Sequence, residues 1–339
     1  MKRQVVSPGA MDFDSPGRRD YFVRFEHPTY WGDYLVPVTV IAGREQRTGR
    51  GVVAIGATHG NEYEGPIAIK HLLSEIQTER VRGRLILIPT LNVPAFNAGL
   101  RDTPDDGVNL NRAFPGVERG SITQRFAHFI STYIFPHVHV VLDIHSGGNV
   151  ARFTPVTSFH HVADMQQRRA MEQTARGFGA RFTMNYQNKT PGLLTSMAET
   201  LGKITIGSEF GWGCAVLAEG VSMARQGITT AAIVHEQLDA EIPRNRHWAQ
   251  SEQILVDNSE LACYVGAEFD GHFEPTVPCG EKVKTGQPIG LLHDFNALDA
   301  PAALIAAPHD GYVICQGWNA KVFRGQVVSV VSVPRPWME

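Results

Sequence analysis

The sequence has few cysteines, and none of them form a recognisable pair. Four occur among 339 residues, and no two are spaced as Cys-x-x-Cys; they are Cys214, Cys263, Cys279 and Cys315. Scattered thiols of this kind indicate neither a disulfide framework nor a cysteine zinc site. We therefore expect reduced thiols, as in a cytoplasmic protein.

Long apolar runs and an excess of positive charge are also missing. Residues 1–19 contain several charges and two Ser-Pro-Gly steps, where a secretory signal or a membrane anchor would have a continuous apolar segment. The chain has 31 Lys and Arg against 34 Asp and Glu, a net charge of -3, so nothing attracts a polyanion. These absences predict a cytoplasmic protein with neither a membrane nor a nucleic-acid partner.

The first 250 residues contain short apolar segments that alternate with amphipathic ones. We predict strands near residues 21–42, 51–57, 84–89, 138–144 and 203–209, and helices near residues 64–76, 121–134, 163–178, 193–201 and 217–238. Buried strands that alternate with helices are typical of an α/β fold. We therefore predict a mainly parallel mixed sheet flanked by helices for residues 1–250.

Residues 251–339 have a different texture, with short β segments separated by Gly and Pro turns. They resemble the β-sandwich hybrid of biotinyl and lipoyl carrier domains, although no lysine is evident at a hairpin tip. We therefore predict a second, all-β domain with a structural or lid role. A carrier role is the alternative, and mass spectrometry of an attached biotin or lipoyl group would support it.

Three candidate metal ligands follow two of the apolar segments. Residues 56–62 read Gly-Ala-Thr-His-Gly-Asn-Glu directly after one predicted strand, and His145 ends another. Hydrolytic zinc sites use three His or carboxylate ligands and leave a position for water, and His59, Glu62 and His145 fit that count. Asp143 lies two residues before His145, on the same side of the strand, where it can accept a hydrogen bond from the imidazole.

The long polar segment before the third helix contains candidate substrate-binding residues. Residues 109–116 read Asn-Leu-Asn-Arg-Ala-Phe-Pro-Gly. The planar fork of Arg112 suits a carboxylate, and Asn111 beside it can add a donor. Arg101 is a second cation that can approach a carbonyl oxygen on which charge develops. The alternative is a loop held by Asn side chains, with both arginines facing solvent.

Glu209 ends an apolar strand and is followed by glycines in Ser-Glu-Phe-Gly. A carboxylate at such a strand end can take a proton from water and pass it to a leaving amine. The alternative is a strand-terminal Glu that caps a turn. The pair His160-His161 has no third ligand at metal spacing, and we predict a solvated turn there.

Four motifs in this order resemble the succinylglutamate desuccinylase/aspartoacylase family, relatives of the zinc carboxypeptidases. They are Gly-x-x-His-Gly-Asn-Glu, Asn-Leu-Asn-Arg-x-Phe-Pro-Gly, Asp-x-His-Ser-Gly-Gly and Ser-Glu-x-Gly. The resemblance covers roughly residues 51–238, and the terminal β domain is similar to that family's second domain. The resemblance implies a zinc carboxypeptidase-like fold and a homodimer.

The resemblance also implies roles for the candidate residues. His59, Glu62 and His145 would hold one Zn2+ per chain, and Glu209 would be the catalytic carboxylate. Asn111 and Arg112 would bind the substrate carboxylate, and Arg101 would polarise the carbonyl. The family also uses an additional Arg and a C-terminal Tyr for substrate, for which Arg152 and Tyr312 are candidates by position alone, with a structural role as the alternative. Trp212 is a separate candidate for the pocket wall, with a packed aromatic as the alternative.

The implied activity is hydrolysis of the amide bond of a small N-acyl amino acid. The His-Ser-Gly-Gly ending and the N-terminal strands are most similar to the bacterial N-acetyl-diaminobutyrate deacetylase branch, which favours an N-acetylated diamino acid such as N-acetyl-2,4-diaminobutyrate. A metallo-carboxypeptidase acting on short peptides is one alternative. A metal-binding or acyl-binding module without turnover is another, and Glu209 argues against it.

Overall fold

The computed structural model describes residues 4–27, 31–45, 47, 49–187, 190–243 and 247–338. Within these ranges the strands are β1 Gln4–Val6, β2 Gly17–Glu26, β3 Asp33–Ala42, β4 Val52–Gly56, β5 Arg84–Ile88, β6 Val140–His145, β7 Ala151–Phe153, β8 Val156–His160, β9 Phe182–Tyr186, β10 Ile204–Glu209, β11 Ile254–Asp257, β12 Tyr264–Gly266, β13 Gly271–Pro275, β14 Lys282–Val283, β15 Pro288–His293, β16 Ala303–Ala306, β17 Gly311–Gly317, β18 Lys321–Val322 and β19 Val327–Arg335.

The α-helices are α1 Glu64–Glu75, α2 Val93–Ala98, α3 Ile122–Phe129, α4 Met165–Arg176, α5 Leu194–Thr200 and α6 Ala218–Val234. A π-helical turn, Ile130–Ile134, extends α3. Short 3-10 turns occupy Pro8–Ala10, Thr78–Arg80, Leu110–Arg112, Phe135–His137 and Leu261–Cys263. Nowhere in the described ranges is a helix both long and apolar enough to cross a membrane.

The large sheet is mixed, and its centre is parallel. Its strands follow the order β1-β2-β3-β5-β4-β6-β10-β8-β9-β11-β19-β17-β14. β5, β4, β6 and β10 are parallel neighbours, whereas β8 pairs antiparallel with β10. The predicted mainly parallel mixed sheet is therefore confirmed.

Helices cover both faces of this sheet, which explains why its central strands are continuously apolar. Every residue of β4, β5 and β6 is buried. One apolar cluster packs α1, α4 and α6 against one face, and a second packs α3 and α5 with β2 and β3 against the other. Strands buried on both faces need apolar side chains at nearly every position.

The C-terminal strands have a core of their own and also join the large sheet. β16, β15, β13 and β18 form a separate antiparallel sheet over a third apolar cluster. β19 pairs with β11 and β17, and β17 also pairs with β7. The predicted all-β architecture is confirmed, and its strands continue the large sheet. A domain boundary at residue 250 stays a prediction.

Candidate active site

Three adjacent parallel strands deliver the candidate residues to one edge of the sheet. His145 is the last residue of β6, and Glu209 is the last residue of β10, directly beside it in register. β4 lies on the other side of β6 and ends at Gly56, three residues before His59. Between them, Ala57 has a φ of 51°, a left-handed conformation that non-glycine residues rarely adopt. Such backbone conformations are often found at functional sites.

His59, Glu62 and His145 converge in the folded chain. One atom from each lies within 4.8 Å of the others, and all three residues are buried. Nδ1 of His59 is 2.9 Å from one carboxylate oxygen of Glu62, and Nδ1 of His145 is 2.8 Å from the other. The δ nitrogens of both imidazoles therefore face the carboxylate, and the three ligand atoms share one small space.

The electrostatics of this cluster favour a positive charge inside it. Burial alone would raise the pKa of Glu62, but His59 and His145 outweigh it and hold that pKa well below its ordinary value. Burial likewise opposes a charge on His145, yet Asp143 and Glu62 raise its pKa well above the ordinary value. Asp143 and Glu62 thus stabilise positive charge at the position of His145. This is what a donor set that binds a divalent metal requires.

Each imidazole is also held from behind. Nε2 of His145 lies 2.7 Å from an oxygen of Asp143, whose other oxygen accepts a hydrogen bond of 2.7 Å from the Thr58 hydroxyl. Nε2 of His59 lies 3.1 Å from the amide oxygen of Asn109. Outer acceptors of this kind fix the orientation of metal-ligating imidazoles. The contact expected between Asp143 and the His145 imidazole is present, whereas sequence reasoning missed Asn109, the first residue of the Asn-Leu-Asn-Arg motif.

Asn111 and Arg112 lie on the short turn Leu110–Arg112, beside the metal-ligand cluster. The amide oxygen of Asn111 accepts the backbone N–H of Leu194 at 2.8 Å, and its amide nitrogen lies 3.3 Å from Nε2 of His145. Only the NH2 group of Asn111 therefore remains to face a ligand. Burial, and then the charge of Arg101, lower the pKa of Arg112, so two cations share this side of the site.

Arg101 reaches the same place from the long polar segment. One guanidinium nitrogen lies 3.1 Å from the Glu62 carboxylate. Its side chain keeps 28% of its exposure, whereas Glu62 keeps 2%, so the arginine enters from the solvent side. This position allows Arg101 to meet a carbonyl oxygen that binds beside the three metal ligands.

Glu209, at the end of β10, lines the same cavity as His59 and His145. Burial, followed by repulsion from Glu62, raises the pKa of Glu209 to about 8. One of its carboxylate oxygens is buried and makes no hydrogen bond to the described residues. A buried carboxyl with a raised pKa and a free oxygen is a strong proton acceptor once ionised.

All of the candidate site residues except Glu62 line a single cavity of about 230 Å3, namely His59, Arg101, Asn111, Arg112, His145 and Glu209. Asp143, which the sequence singled out, also lines it, whereas sequence reasoning missed the rest of the wall, which consists of Ser158, Tyr186, Thr190, Leu193, Thr195, Gly207 and Ser208. Burial, and then the charge of Glu199, raise the pKa of Tyr186 well above its ordinary value, so its phenol stays protonated. Among the described lining residues Leu193 is the single large apolar one, so the cavity suits a small polar molecule.

Three further candidates for substrate contact do not line the cavity: Arg152, Trp212 and Tyr312. Arg152 stacks over the Trp212 ring at 5.2 Å, and the Tyr312 ring is 5.2 Å from that of Phe182. None of the three is among the described residues that line the cavity.

The solvated turn predicted for His160 is wrong. His160 is the last residue of β8 and is fully buried. Its Nδ1 lies 2.9 Å from a carboxylate oxygen of Glu199, so a buried acid on α5 compensates the burial of the imidazole. His161 beside it is exposed.

Comparisons with known proteins agree with this geometry. The family model of the succinylglutamate desuccinylase/aspartoacylase catalytic domain matches residues 48–234. The N-alpha-acetyl-L-2,4-diaminobutyric acid deacetylase of Halomonas elongata is 32% identical over 338 residues, which cover 97% of this chain and 96% of that protein.

Solved structures are similar over the same extent. The product-bound ectoine utilization protein EutE (DoeB) of Ruegeria pomeroyi superposes with a TM-score of 0.86 at 29% identity, covering 96% of this chain and 98% of that one. A succinylglutamate desuccinylase/aspartoacylase structure from Rhodobacter sphaeroides has a TM-score of 0.88 at 32% identity, with the same coverage. The likeness therefore includes the C-terminal β strands as well as the sheet that carries the cavity.

Proposed function

Because this chain belongs to the succinylglutamate desuccinylase/aspartoacylase family, whose members are deacylating hydrolases, we propose that it is a zinc-dependent deacetylase of an N-acetylated diamino acid. The substrate we propose is N-acetyl-2,4-diaminobutyrate, and the products are acetate and the free diamino acid. Zinc dependence and this substrate go beyond family membership.

One observation carries the proposal. Both histidines of a buried His-Glu-His cluster line one cavity of about 230 Å3, together with a carboxylate that has a free oxygen and two candidate carboxylate-binding donors. Metal-assisted amide hydrolysis needs these parts within reach of one small substrate. A binding module without turnover would have no use for Glu209.

His59, Glu62 and His145 are the residues that would hold zinc. When bound there, zinc polarises the acyl carbonyl and makes a water molecule more acidic. Asn109 and Asp143 keep the two imidazoles turned toward the shared space through their Nε2 atoms. The ligands are therefore oriented before any substrate arrives.

The other residues act on the substrate and on protons. Arg112 and the NH2 group of Asn111 bind the substrate carboxylate, because both offer donors and no free acceptor. Glu209 takes a proton from the attacking water and gives it to the leaving amine. Arg101 approaches the oxygen of the acyl group as negative charge develops on it.

The polar lining supports a small charged substrate over an apolar one. Four residues with hydroxyl groups, Ser158, Tyr186, Thr190 and Thr195, line the cavity. A C-terminal peptide residue with a large apolar side chain would bury polar groups of this wall without offering them hydrogen bonds, which is unfavourable. We chose diaminobutyrate as the amino acid of the proposed substrate because the Halomonas elongata relative is named for it.

A substrate panel tests the proposal. The zinc-loaded protein is assayed with N-acetyl-2,4-diaminobutyrate, N-acetylaspartate, N-succinylglutamate and dipeptides. The assays are repeated after a chelator has removed the zinc, and again after zinc has been added back. We expect the highest kcat/KM for N-acetyl-2,4-diaminobutyrate, loss of activity on chelation and recovery with zinc. Faster cleavage of dipeptides would favour a carboxypeptidase, and no turnover of any N-acyl amino acid would refute the proposal.

A further inference from the structure

A second glutamate of the metal motif is buried beside the site. Glu64 follows the ligand Glu62 by two residues and has 0% exposure. One of its carboxylate oxygens accepts the Ser146 hydroxyl, and the other accepts the backbone N–H of Leu217 at 2.9 Å. Both oxygens are therefore held by uncharged donors from distant parts of the chain.

These two donors belong to the loops that follow His145 and Glu209. Ser146 comes directly after His145, and Leu217 precedes α6 at the end of the loop after Glu209. The loops also bind each other, since the N–H of Gly147 donates to the carbonyl of Gly211 at 2.8 Å. Glu64 thus lies where both loops meet the start of α1.

Ser146 connects Glu64 to the metal ligands. Its backbone N–H donates to a carboxylate oxygen of Glu62 at 3.1 Å, and that same oxygen faces Nδ1 of His145 at 2.8 Å. A chain of hydrogen bonds therefore runs from Glu64 through Ser146 to Glu62. If the Ser146 hydroxyl lost its acceptor, Ser146 would be held less firmly. Its backbone N–H would then be free to move away from the Glu62 carboxylate.

The surroundings of Glu64 are shaped to accept its carboxylate. A Cβ at Gly211 would overlap that carboxylate, and a Cβ at Gly220 would overlap the carbonyl of Phe210 and touch Glu64 Cγ. Glu64 is also the first residue of α1, where the helix dipole favours a negative charge. These features allow Glu64 to stay buried although no cation among the described residues forms a salt bridge with it.

We propose that Glu64 is a positioning residue that sets the geometry of the metal ligands, by holding Ser146 against Glu62 and joining the loops after His145 and Glu209. The inference rests on the proposed function in that the three ligands bind zinc. Glu64 makes no contact with substrate in this proposal and acts through Ser146 and the two loops.

Zinc affinity, measured by competition with a chelator on metal-free protein, tests this role without reference to turnover. Loss of an outer partner typically weakens metal binding about 10- to 100-fold, and we expect that range for Glu64→Ala. Glu64→Gln keeps an oxygen for Leu217 and an NH2 group for Ser146, so we expect affinity within about threefold of the wild type. The visible spectrum of the cobalt-substituted protein should change in Glu64→Ala alone.

Glu172→Ala is the matched control. Glu172 is a buried carboxylate on α4 that accepts the backbone N–H of Met338 at 2.8 Å and pairs with Arg168. Its loss should destabilise the fold but leave zinc affinity and the cobalt spectrum unchanged. All variants are compared at a temperature where circular dichroism shows them folded.

A double-mutant cycle with Ser146→Ala completes the test. We expect Ser146→Ala to weaken zinc binding about tenfold in the wild type and less than about twofold in the Glu64→Ala background, because both changes break one chain of hydrogen bonds. Additive effects, or wild-type affinity and spectrum in Glu64→Ala, would overturn the role of Glu64 alone. Wild-type protein that binds no zinc would overturn both this role and the proposed function.

Discussion

At the scale of single residues, the proton-transfer role proposed for Glu209 can be tested by one conservative substitution. Glu209→Gln keeps the shape of the side chain and removes its basicity, so we expect kcat to fall by about 100-fold or more. Zinc content should not change, because Glu209 is not one of the three clustered ligands. Measuring kcat and bound zinc on the same preparation checks both parts, and activity within tenfold of the wild type would contradict the role.

Asn111 allows a second test, since one of its amide atoms is already occupied. Its oxygen accepts the N–H of Leu194, so Asn111→Asp preserves that bond and replaces the free NH2 group with an oxygen that repels a carboxylate. We expect KM to rise about 10- to 100-fold, the cost of losing a hydrogen bond to a charged group. Steady-state kinetics should place most of the loss in KM. A loss confined to kcat would argue against carboxylate binding.

The sequence allowed the clustering of His59, Glu62 and His145 to be predicted because their side-chain chemistry and their places after strand ends are visible in it. His59, Glu62 and His145 do lie together. Glu64 and Tyr186 were not predictable in the same way. Each depends on which loop or strand packs against it, and neither residue type signals such a neighbour. Asn109 carried a usable signal, as it belongs to the same motif as Asn111.

At the scale of elements, two histidines make the stability of the fold depend on pH. His139 lies just before β6 and His235 just after α6, and their rings are 5.3 Å apart. Burial, with repulsion from nearby positive charge, lowers the pKa of each to about 4. Unfolded histidines titrate near about 6.5, so the unfolded chain binds more protons than the folded one between these two values.

The free energy of unfolding should therefore fall as the pH drops from about 6.5 toward about 4, the window between the unfolded and folded pKa values. We expect urea unfolding of the double variant His139→Gln/His235→Gln to depend less on pH across this window than that of the wild type. His71→Gln on the exposed side of α1 is the control and should keep the wild-type slope. Equal slopes for all three proteins would contradict the assignment.

The elements that were predicted are those with a continuous apolar run or a clear helical period. β4, β5 and β6 belong to the first kind, and α4 and α6 to the second. β8 and β9 escaped prediction because polar residues such as Ser158 and Asn185 interrupt them, and their polarity is explained by the cavity and its neighbours. α2 had a local signal, since Asn92 caps it and Gly99 ends it in a left-handed conformation.

At the scale of the whole molecule, the change of texture near residue 250 predicted a β-rich second part but not how it joins the first. β17 pairs with β7, which begins six residues after His145, and β11 pairs with both β9 and β19. Pairing between strands so far apart in the chain depends on the final packing of both parts, and no local pattern specifies it. The C-terminal part is therefore attached to the loop that follows His145, one of the proposed metal ligands.

Trp318, in the C-terminal part, packs against the loop that follows Glu209. It follows β17, its backbone N–H donates to Val150 at 3.1 Å, and its ring would lie 2.8 Å from a Cβ at Gly213. Trp318→Ala keeps the backbone bond and removes the ring that packs on the loop. An aromatic contact is worth about 0.5–1.5 kcal/mol, so we expect KM to rise about two- to tenfold with zinc affinity unchanged.

Phe323→Ala serves as the control for Trp318→Ala, because Phe323 is an exposed aromatic of the same β-rich part that does not line the cavity. If the C-terminal strands support the active site through the loop after Glu209, only Trp318→Ala should raise KM. Equal KM values for both variants and the wild type would mean that the loop keeps its position without the ring. The C-terminal strands would then support the site through the β17–β7 and β11–β9 pairings, since neither depends on the Trp318 side chain.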